Sequence, residues 1–371
     1  MVNIGDSMLN KGDKILLWLM SFDSINYKRI YEIVNTFDLE DLFENVGNYR
    51  ENLLKILTNE EFHELLMRRN LVDVDKLIDS YSKLNIQIVT IKSDDYPELL
   101  REIDSPPIVL YCKGDISLLK TECLGVVGTR RATKYGKDCC TRFVRDIASE
   151  GITIVSGLAE GIDTVAHKAT LDVKGKTIAV LGGGLLNIYP SSNVILADEI
   201  INNGGLLVTE YKPGEQALTY HFPIRNRIIA GLSRGVFVVE ATEKSGSMHT
   251  KNYALDFNRE VFALPARVGD IYSYGCNKCI QNGQARMVLD SSDIISFFGK
   301  NKQEKQSQAL LQLTMEESII YDALDGEEKH FDELIKITGF DAKSLQTWLM
   351  RLMLKGVVDK QSNNYYALII K

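Results

Sequence analysis

Six short apolar runs recur along the middle of the chain: "CLGVV" (123–127), "ITIVS" (152–156), "TIAVL" (177–181), "LLVT" (206–209), "GVFVVE" (235–240) and "VFALP" (261–265). They are β-branched and apolar on both faces. Helix-length amphipathic stretches such as "YGKDCCTRFVRDIASEG" (135–151) lie between most of them. Strands that lack polar alternation must be buried on both sides, and alternation with helices makes them parallel. The expected fold is therefore α/β, a Rossmann-like doubly wound parallel sheet.

The flanks have other periods. "KILLWLMSF", "YKRIYEIVNTF", "DLFENV", "NLLKILT" and "EEFHELLMRR" place apolar residues at three-and-four spacing, which predicts an N-terminal small helical domain over residues 1–84, of sterile-alpha-motif or helix-hairpin-helix type. "NIQIVTI" and "PIVLYC" open the sheet domain, 85–298, with "SPP" as a break between them. "GKNKQEKQSQ" (299–308) reads as a linker. Residues 309–371 show three helices and a short strand pair, a C-terminal winged-helix pattern. Its third helix sets Lys343, Arg351 and Lys355 against Asp341, with Trp348, Leu349 and Leu352 on the apolar side.

Charge is uneven across these segments. Residues 1–84 carry 10 Lys/Arg against 15 Asp/Glu, net −5; residues 308–371 carry 7 against 10, net −3; residues 85–307 carry 26 against 25, net +1. A polyanion is therefore best met by the middle, through a local patch. The acidic C-terminal segment fits a regulatory or protein-contact role better than DNA contact. The start has early acidic residues and an apolar run of only six, Ile15 to Met20, unlike a signal peptide. No stretch approaches the roughly 18 apolar residues of a membrane span. Cys112, Cys123, Cys139 and Cys140 sit in apolar or helical contexts, and the lone C-x-x-C of Cys276 and Cys279 lacks a second ligand pair. A reduced, cytoplasmic protein is expected.

In an open parallel sheet, ligands bind beyond the carboxyl ends of the strands. The segments there are "GTRRATKYG" (128–136), "SGLAEGID" (156–163), "GGGLLNIYP" (182–190), the region of "HFPIRNRIIAGLS" (221–233) and "ATEKSGSMHT" (241–250). Gly128, Thr129, Ser156, Gly157, Gly182, Gly183, Ser245, Gly246 and Ser247 would present backbone amides where helices begin, an arrangement that attracts anions. A dinucleotide is disfavoured: the first turn lacks G-x-G-x-x-G and the second strand ends in Ser156, not an acid. No phosphate-binding G-x-x-x-x-G-K-[ST] occurs. Asp163 and His167 share a helix face without a nucleophile and read as a structural hydrogen-bond pair. His221, His249, Glu210, Glu240 and Glu243 have no metal-ligand spacing. No catalytic residue, metal or cofactor is expected.

Arg130, Arg225 and Arg227 remain, expected at one sheet edge, with Lys134, Lys137, Lys244 and Lys251 flanking and Phe222 and Tyr189 supplying flat faces. Basic residues interleaved with aromatics suit an extended single strand, whose bases stack while cations hold phosphates.

In this order, "GTRRAT…YG", "SGLAEGIDTVAH", "LGGGL…YP", "TEYKPG", "FPIRNRIIAGLS", "VVEATEKSGSMHT" and "VFALP" resemble the DNA processing protein A family, also called DprA or Smf, over roughly residues 95–295. "DDYPELLREIDSPPIVLYCKGD" resembles the family's lead-in. The resemblance implies a non-enzymatic protein that binds single-stranded DNA during natural transformation, dimerises through the Rossmann-like domain and helps to load a RecA-type recombinase. It places DNA contact on Gly128, Thr129 and Arg130, on Phe222, Arg225, Asn226 and Arg227, and on the pocket lined by Ser245, Gly246 and Ser247. With Ser156, Gly157, Gly182 and Lys251, these form the candidate site. The sequence departs from the family pattern at Ser191 and Ser192, where lysine is frequent after "YP", at His249 and Lys251, and at Ala266 in place of glycine. The competing reading is a Rossmann-like enzyme acting on nucleoside phosphates. It needs a catalytic Glu early on the helix after "SGSMHT", where the first acid is Asp256.

Overall fold

The computed structural model describes residues 9–69, 72–300, 313–324 and 327–368. They fall into two compact units, one within Met1–Lys302 and one within Gln303–Lys371. Residues 301–308 of the expected linker lie outside the described residues.

All the expected strands of the first unit form. They are β1 (Gln87–Thr90), β2 (Val109–Gly114), β3 (Cys123–Val127), β4 (Thr153–Ser156), β5 (Thr177–Val180), β6 (Leu206–Thr209), β7 (Gly235–Val238) and β8 (Glu260–Ala263), with a short β9 (Arg286–Met287) beyond. The sheet runs β1-β2-β6-β5-β4-β3-β7-β8-β9. β1 and β2 pair antiparallel, as do β2 and β6, and the remaining pairs are parallel. Every residue of β3 to β7 is buried, which explains their lack of polar alternation. From β3 the chain winds outward through β4, β5 and β6, then crosses back to β7 on the other side of β3. Such a reversal opens a crevice at the strand ends.

One face of the sheet is covered by the helices Lys134–Ser149 and Ile162–Asp172, which bury Phe143, Val144, Ile147 and Ala166 against Leu124, Val126 and Ile154. The other carries His221–Leu232 and Ser247–Asp256, packing Ile228, Ile229 and Ala254 over Val155, Ile178 and Val236.

The N-terminal helices do not make a separate domain. Trp18, set edge-on against Phe22 and Phe43 at 5.3 and 4.9 Å, belongs to one core with Val109, Tyr111, Ala179 and Leu207 of the sheet. The helix Lys11–Met20 is apolar over most of its circumference because it is sandwiched between other helices and that sheet face. Its first turn is held by a capping box between Asn10 and Asp13, and Asp13 also accepts a hydrogen bond from Thr90 of β1. The acidic surface and separate periodicity marked a change of element, not a change of domain.

The second unit holds the helices Met315–Leu324, Phe331–Thr338 and Ala342–Leu354 and a three-stranded antiparallel sheet, β10 (Lys329–His330), β11 (Val358–Lys360) and β12 (Tyr365–Leu368), in the order β10-β12-β11. Two of the cations expected on its third helix are engaged within the unit. Lys355 donates to buried Glu317 at 2.5 Å, and Arg351 lies over the Trp348 ring at 4.7 Å.

Candidate nucleic-acid interface

A small cleft of ≈ 50 Å³ opens at the carboxyl ends of β3, β4 and β5. It is lined by Arg130, Gly157, Ala159, Glu160, Tyr189, Pro190, Phe222 and Arg225. The residues come from four connections that are distant in sequence and meet because each follows a neighbouring strand or packs over one.

The helix His221–Leu232 supplies two of them. Pro223 is tolerated in its first turn, where backbone N–H groups have no intrahelical acceptor. Gly182 lies under the Phe222 ring so closely that a Cβ there would stand 2.8 Å from a ring carbon. The guanidinium of Arg130 sits 5.6 Å from the centroid of the same ring, and the Tyr189 ring lies 5.5 Å from it, tilted by 42°. Arg130 and Tyr189 are exposed and Phe222 is half-buried, so a cation and two aromatic faces border one opening.

Arg225 forms the floor. It is 4% exposed and donates to the carbonyls of Gly157, at 2.8 Å, and Val180. Across Gly157 stands buried Asp163, whose carboxylate accepts the N–H groups of Gly157 and Ala159 at 3.1 and 3.4 Å. A Cβ on Gly157 would lie 2.6 Å from Arg225 Nη2 and 2.8 Å from Asp163 Oδ2, so only glycine fits between them. Burial pushes the Asp163 carboxyl up to about 6 against the opposing pull of Arg225 and the N–H donors. Burial likewise brings Arg225 down to about 10, with Asp163 working the other way. Gly161, at φ 82°, closes this loop against the first turn, where a Cβ would meet the Thr129 carbonyl at 2.3 Å.

Other candidate residues do not meet the cleft. Arg225 and Arg227 are two apart on a helix and so project about 200° apart. Arg227 turns away into a bidentate pair with Glu210, at 2.6 and 2.7 Å, and donates through Nε to the Ser105 carbonyl. Burial works to lower its pKa, but the charge and hydrogen bonds of Glu210 outweigh that and raise it. Arg227 is thus not available as a phosphate contact. Ser156 is fully buried and donates to the Val126 carbonyl at 2.7 Å. Lys251 is 7% exposed and donates to Gln284, because its helix packs that side toward the sheet.

The backbone donors expected at the turns are also largely consumed. The Thr129 N–H donates to the Glu240 carbonyl at 2.6 Å, beside the half-buried Gly128, and the Gly157 N–H goes to Asp163. Buried amides pair internally when no solvent reaches them. Ser245, Gly246 and Ser247 lie outside the cleft lining. The two serine hydroxyls bond each other at 2.8 Å, and the Gly246 carbonyl accepts from Asn226 at 3.2 Å, tying that loop to the helix.

Asp163 and His167 are not a hydrogen-bond pair. His167 Nδ1 bonds Thr177 at 2.8 Å, and burial, reinforced by Arg225, holds its imidazole down at about 3. Cys276 and Cys279 are buried, burial raising the first to about 12, and no cluster of metal-binding side chains occurs among the described residues. Ala159, Glu160 and Pro190 were not singled out in the sequence. Their signal was adjacency to the "SGLAEGID" and "YP" motifs, and only the loop geometry turns them inward.

Residues 87–299, the whole sheet with its crossover helices, match the family model for DNA recombination-mediator protein A. The chain belongs to this family. It is 44% identical to the DNA processing protein DprA of Bacillus subtilis (strain 168) over 220 residues, 59% of this chain and 73% of that one. Among solved structures, DNA processing protein A of Streptococcus pneumoniae superposes with a TM-score of 0.64 at 36% identity, covering 76% of this chain and 97% of that one. DNA processing protein A of Helicobacter pylori, a structure described for its single-stranded DNA binding mode, gives 0.52 at 33% identity, covering 57% and 95%. The family match ends before the second unit begins, so the recombination-mediator fold is the nine-stranded sheet and its helices.

Proposed function

We propose that the cleft binds single-stranded DNA with little sequence preference and that the protein acts as a recombination mediator. In this reading it protects incoming DNA and loads a RecA-type recombinase during natural transformation, in the cytoplasm, as a homodimer through the Rossmann-like part. The observation that carries the reading is the grouping of Arg130, Phe222 and Tyr189 around one opening, a cation beside two aromatic faces. Bases of any identity stack on such rings, and an exposed guanidinium holds the phosphate between them. Membership of the family and the DNA-binding mode for which its Helicobacter pylori relative is described support it. No helix among the described residues is long and apolar enough to cross a membrane.

The protein works by binding and not by bond cleavage, a reading supported by the state of the two buried charges at the cleft. Asp163 and Arg225 are both committed to backbone partners. The second unit, read as a winged helix, serves a regulatory or protein-contact role, a reading supported by the net charge of −3 over residues 308–371.

An electrophoretic shift comparing mixed-sequence single strands with the same sequence as duplex tests the reading. Tighter binding of the single strand, weakened by Arg130→Ala, is expected. Equal affinity for both forms, in wild type and variant alike, refutes it.

A further inference from the structure

The helix that carries Phe222 and Arg225 toward the cleft is fastened on its other side by Arg227, and the fastening reaches the N-terminal helices. Arg227 holds Glu210, the residue that follows β6, through both guanidinium nitrogens, and it holds the Ser105 carbonyl through Nε. Its guanidinium also lies over the ring of Tyr27, 6.0 Å from the centroid. Tyr27 begins the helix Tyr27–Thr36, and its hydroxyl donates to the Pro106 carbonyl. Tyr96 donates to the next carbonyl, Pro107, at 2.7 Å. The "SPP" segment is thereby held from three directions: by Arg227, by Tyr27 and by Tyr96.

This arrangement is not needed for the fold of the helix itself. A buried ion pair is a weak source of stability, because desolvation offsets most of its Coulomb attraction. What a bidentate pair with a ring over it supplies is geometry, since the planar fork admits few orientations. Arg225 is fixed by the carbonyls of Gly157 and Val180 on the cleft side. Arg227 fixes the opposite side of the same turn. Between them the helix can neither roll nor slide, and the Phe222 ring is kept against Gly182 and under Arg130.

We propose that Tyr27, acting through Arg227 and Glu210, is a positioning residue for the nucleic-acid cleft, so that the N-terminal helices govern how tightly the Phe222 edge of the cleft holds a single strand. The proposal rests on the single-stranded DNA reading. It gives the N-terminal segment a role in affinity although none of its residues lines the cleft.

The test uses the full chain as wild type, Tyr27→Ala, Tyr27→Phe, Glu210→Gln and Arg130→Ala. A fluorescently labelled mixed-sequence single strand reports affinity and its salt slope. The same strand with one aminopurine base reports stacking by its quenching at saturation. Tyr27→Ala and Glu210→Gln are each expected to weaken binding about three- to tenfold and to reduce quenching at saturation, as coupling through a packed network does. The salt slope stays at the wild-type value, because no phosphate contact is removed, whereas Arg130→Ala lowers it. Tyr27→Phe keeps the ring over the guanidinium and restores wild-type affinity and quenching.

A purely structural Tyr27 would lower the melting temperature and leave both binding readouts of the folded protein unchanged. Wild-type affinity and quenching in Tyr27→Ala and Glu210→Gln, with Arg130→Ala impaired, therefore overturn the proposal and leave the DNA reading standing. Tyr27→Phe as impaired as Tyr27→Ala overturns the route through Arg227. Absence of binding by the wild type overturns the DNA reading and this inference with it.

Discussion

Arg130 and Phe222 meet at the rim of one opening, the guanidinium over the ring and 5.6 Å from its centroid, although one follows β3 and the other lies in the first turn of the helix after β6. On the proposed reading, their meeting joins a cation suited to phosphate to a flat face suited to base stacking. It is the relationship on which the properties of the cleft depend.

Replacing Arg130 by Ala removes the cation and one wall. Binding to every single-stranded sequence is expected to weaken alike, by about tenfold, and the slope of log affinity against log salt to fall by about 0.7 for the one phosphate released. Fluorescence anisotropy over a salt series measures both.

Phe222→Ala removes the stacking face but no charge. Each stacked base is worth about 1–3 kcal/mol, so affinity is expected to fall by about five- to 150-fold with the salt slope unchanged. Phe222→Tyr, which keeps a flat face over Gly182, is expected to recover most of the loss in the same assay.

Gly157→Ala forces a methyl between Arg225 and Asp163, 2.6 Å from one and 2.8 Å from the other. Both partners are buried and held by backbone groups, so neither can retreat cheaply. A loss of about 1–3 kcal/mol of stability is expected in chemical denaturation, the scale of overpacking in a close-packed interior, together with weakened DNA binding.

The Asp163 carboxyl gives a pH signature. Its folded value, about 6, lies above the ordinary carboxyl value of 3.8 expected when unfolded. The folded state therefore binds the proton more tightly, and the contribution to stability is fully present below about 3.8 and lost as pH rises through about 6. Stability of the wild type is expected to decline by about 1–3 kcal/mol over that window. Asp163→Asn, which titrates no proton, is expected to flatten this part of the profile. Urea midpoints collected from pH 4 to pH 7 on both proteins check it.

Incubation with a panel of nucleoside monophosphates is expected to release no base, because Asp163, the buried acid behind Gly157, already accepts two backbone N–H groups. Chromatographic detection of free base would favour the enzymatic reading instead.

Strand identity and the α/β class were legible because burial on both faces forbids polar alternation, and that constraint acts on each strand separately. Runs such as "CLGVV" and "TIAVL" became β3 and β5 for this local reason. That the glycine-rich turns share one edge was legible on the same basis, since the chain direction of a parallel sheet puts every strand-to-helix turn at one end. The motif "FPIRNRIIAGLS" was likewise recognisable as a unit. Its inner division was not: helical geometry sends Arg225 to the cleft and Arg227 to Glu210, and nothing in the order of residues names Glu210 or Tyr27 as partners. Ser156 and Lys251 are polar residues whose hydrogen bonds are satisfied inside the fold, a fact set by neighbours remote in sequence. The apolar period of the N-terminal helices showed that they bury a face, but only packing revealed that the sheet is what covers it. Local periodicity is a property of the chain, whereas the partner of a buried charge is decided by which distant segments the packing brings within a few ångströms.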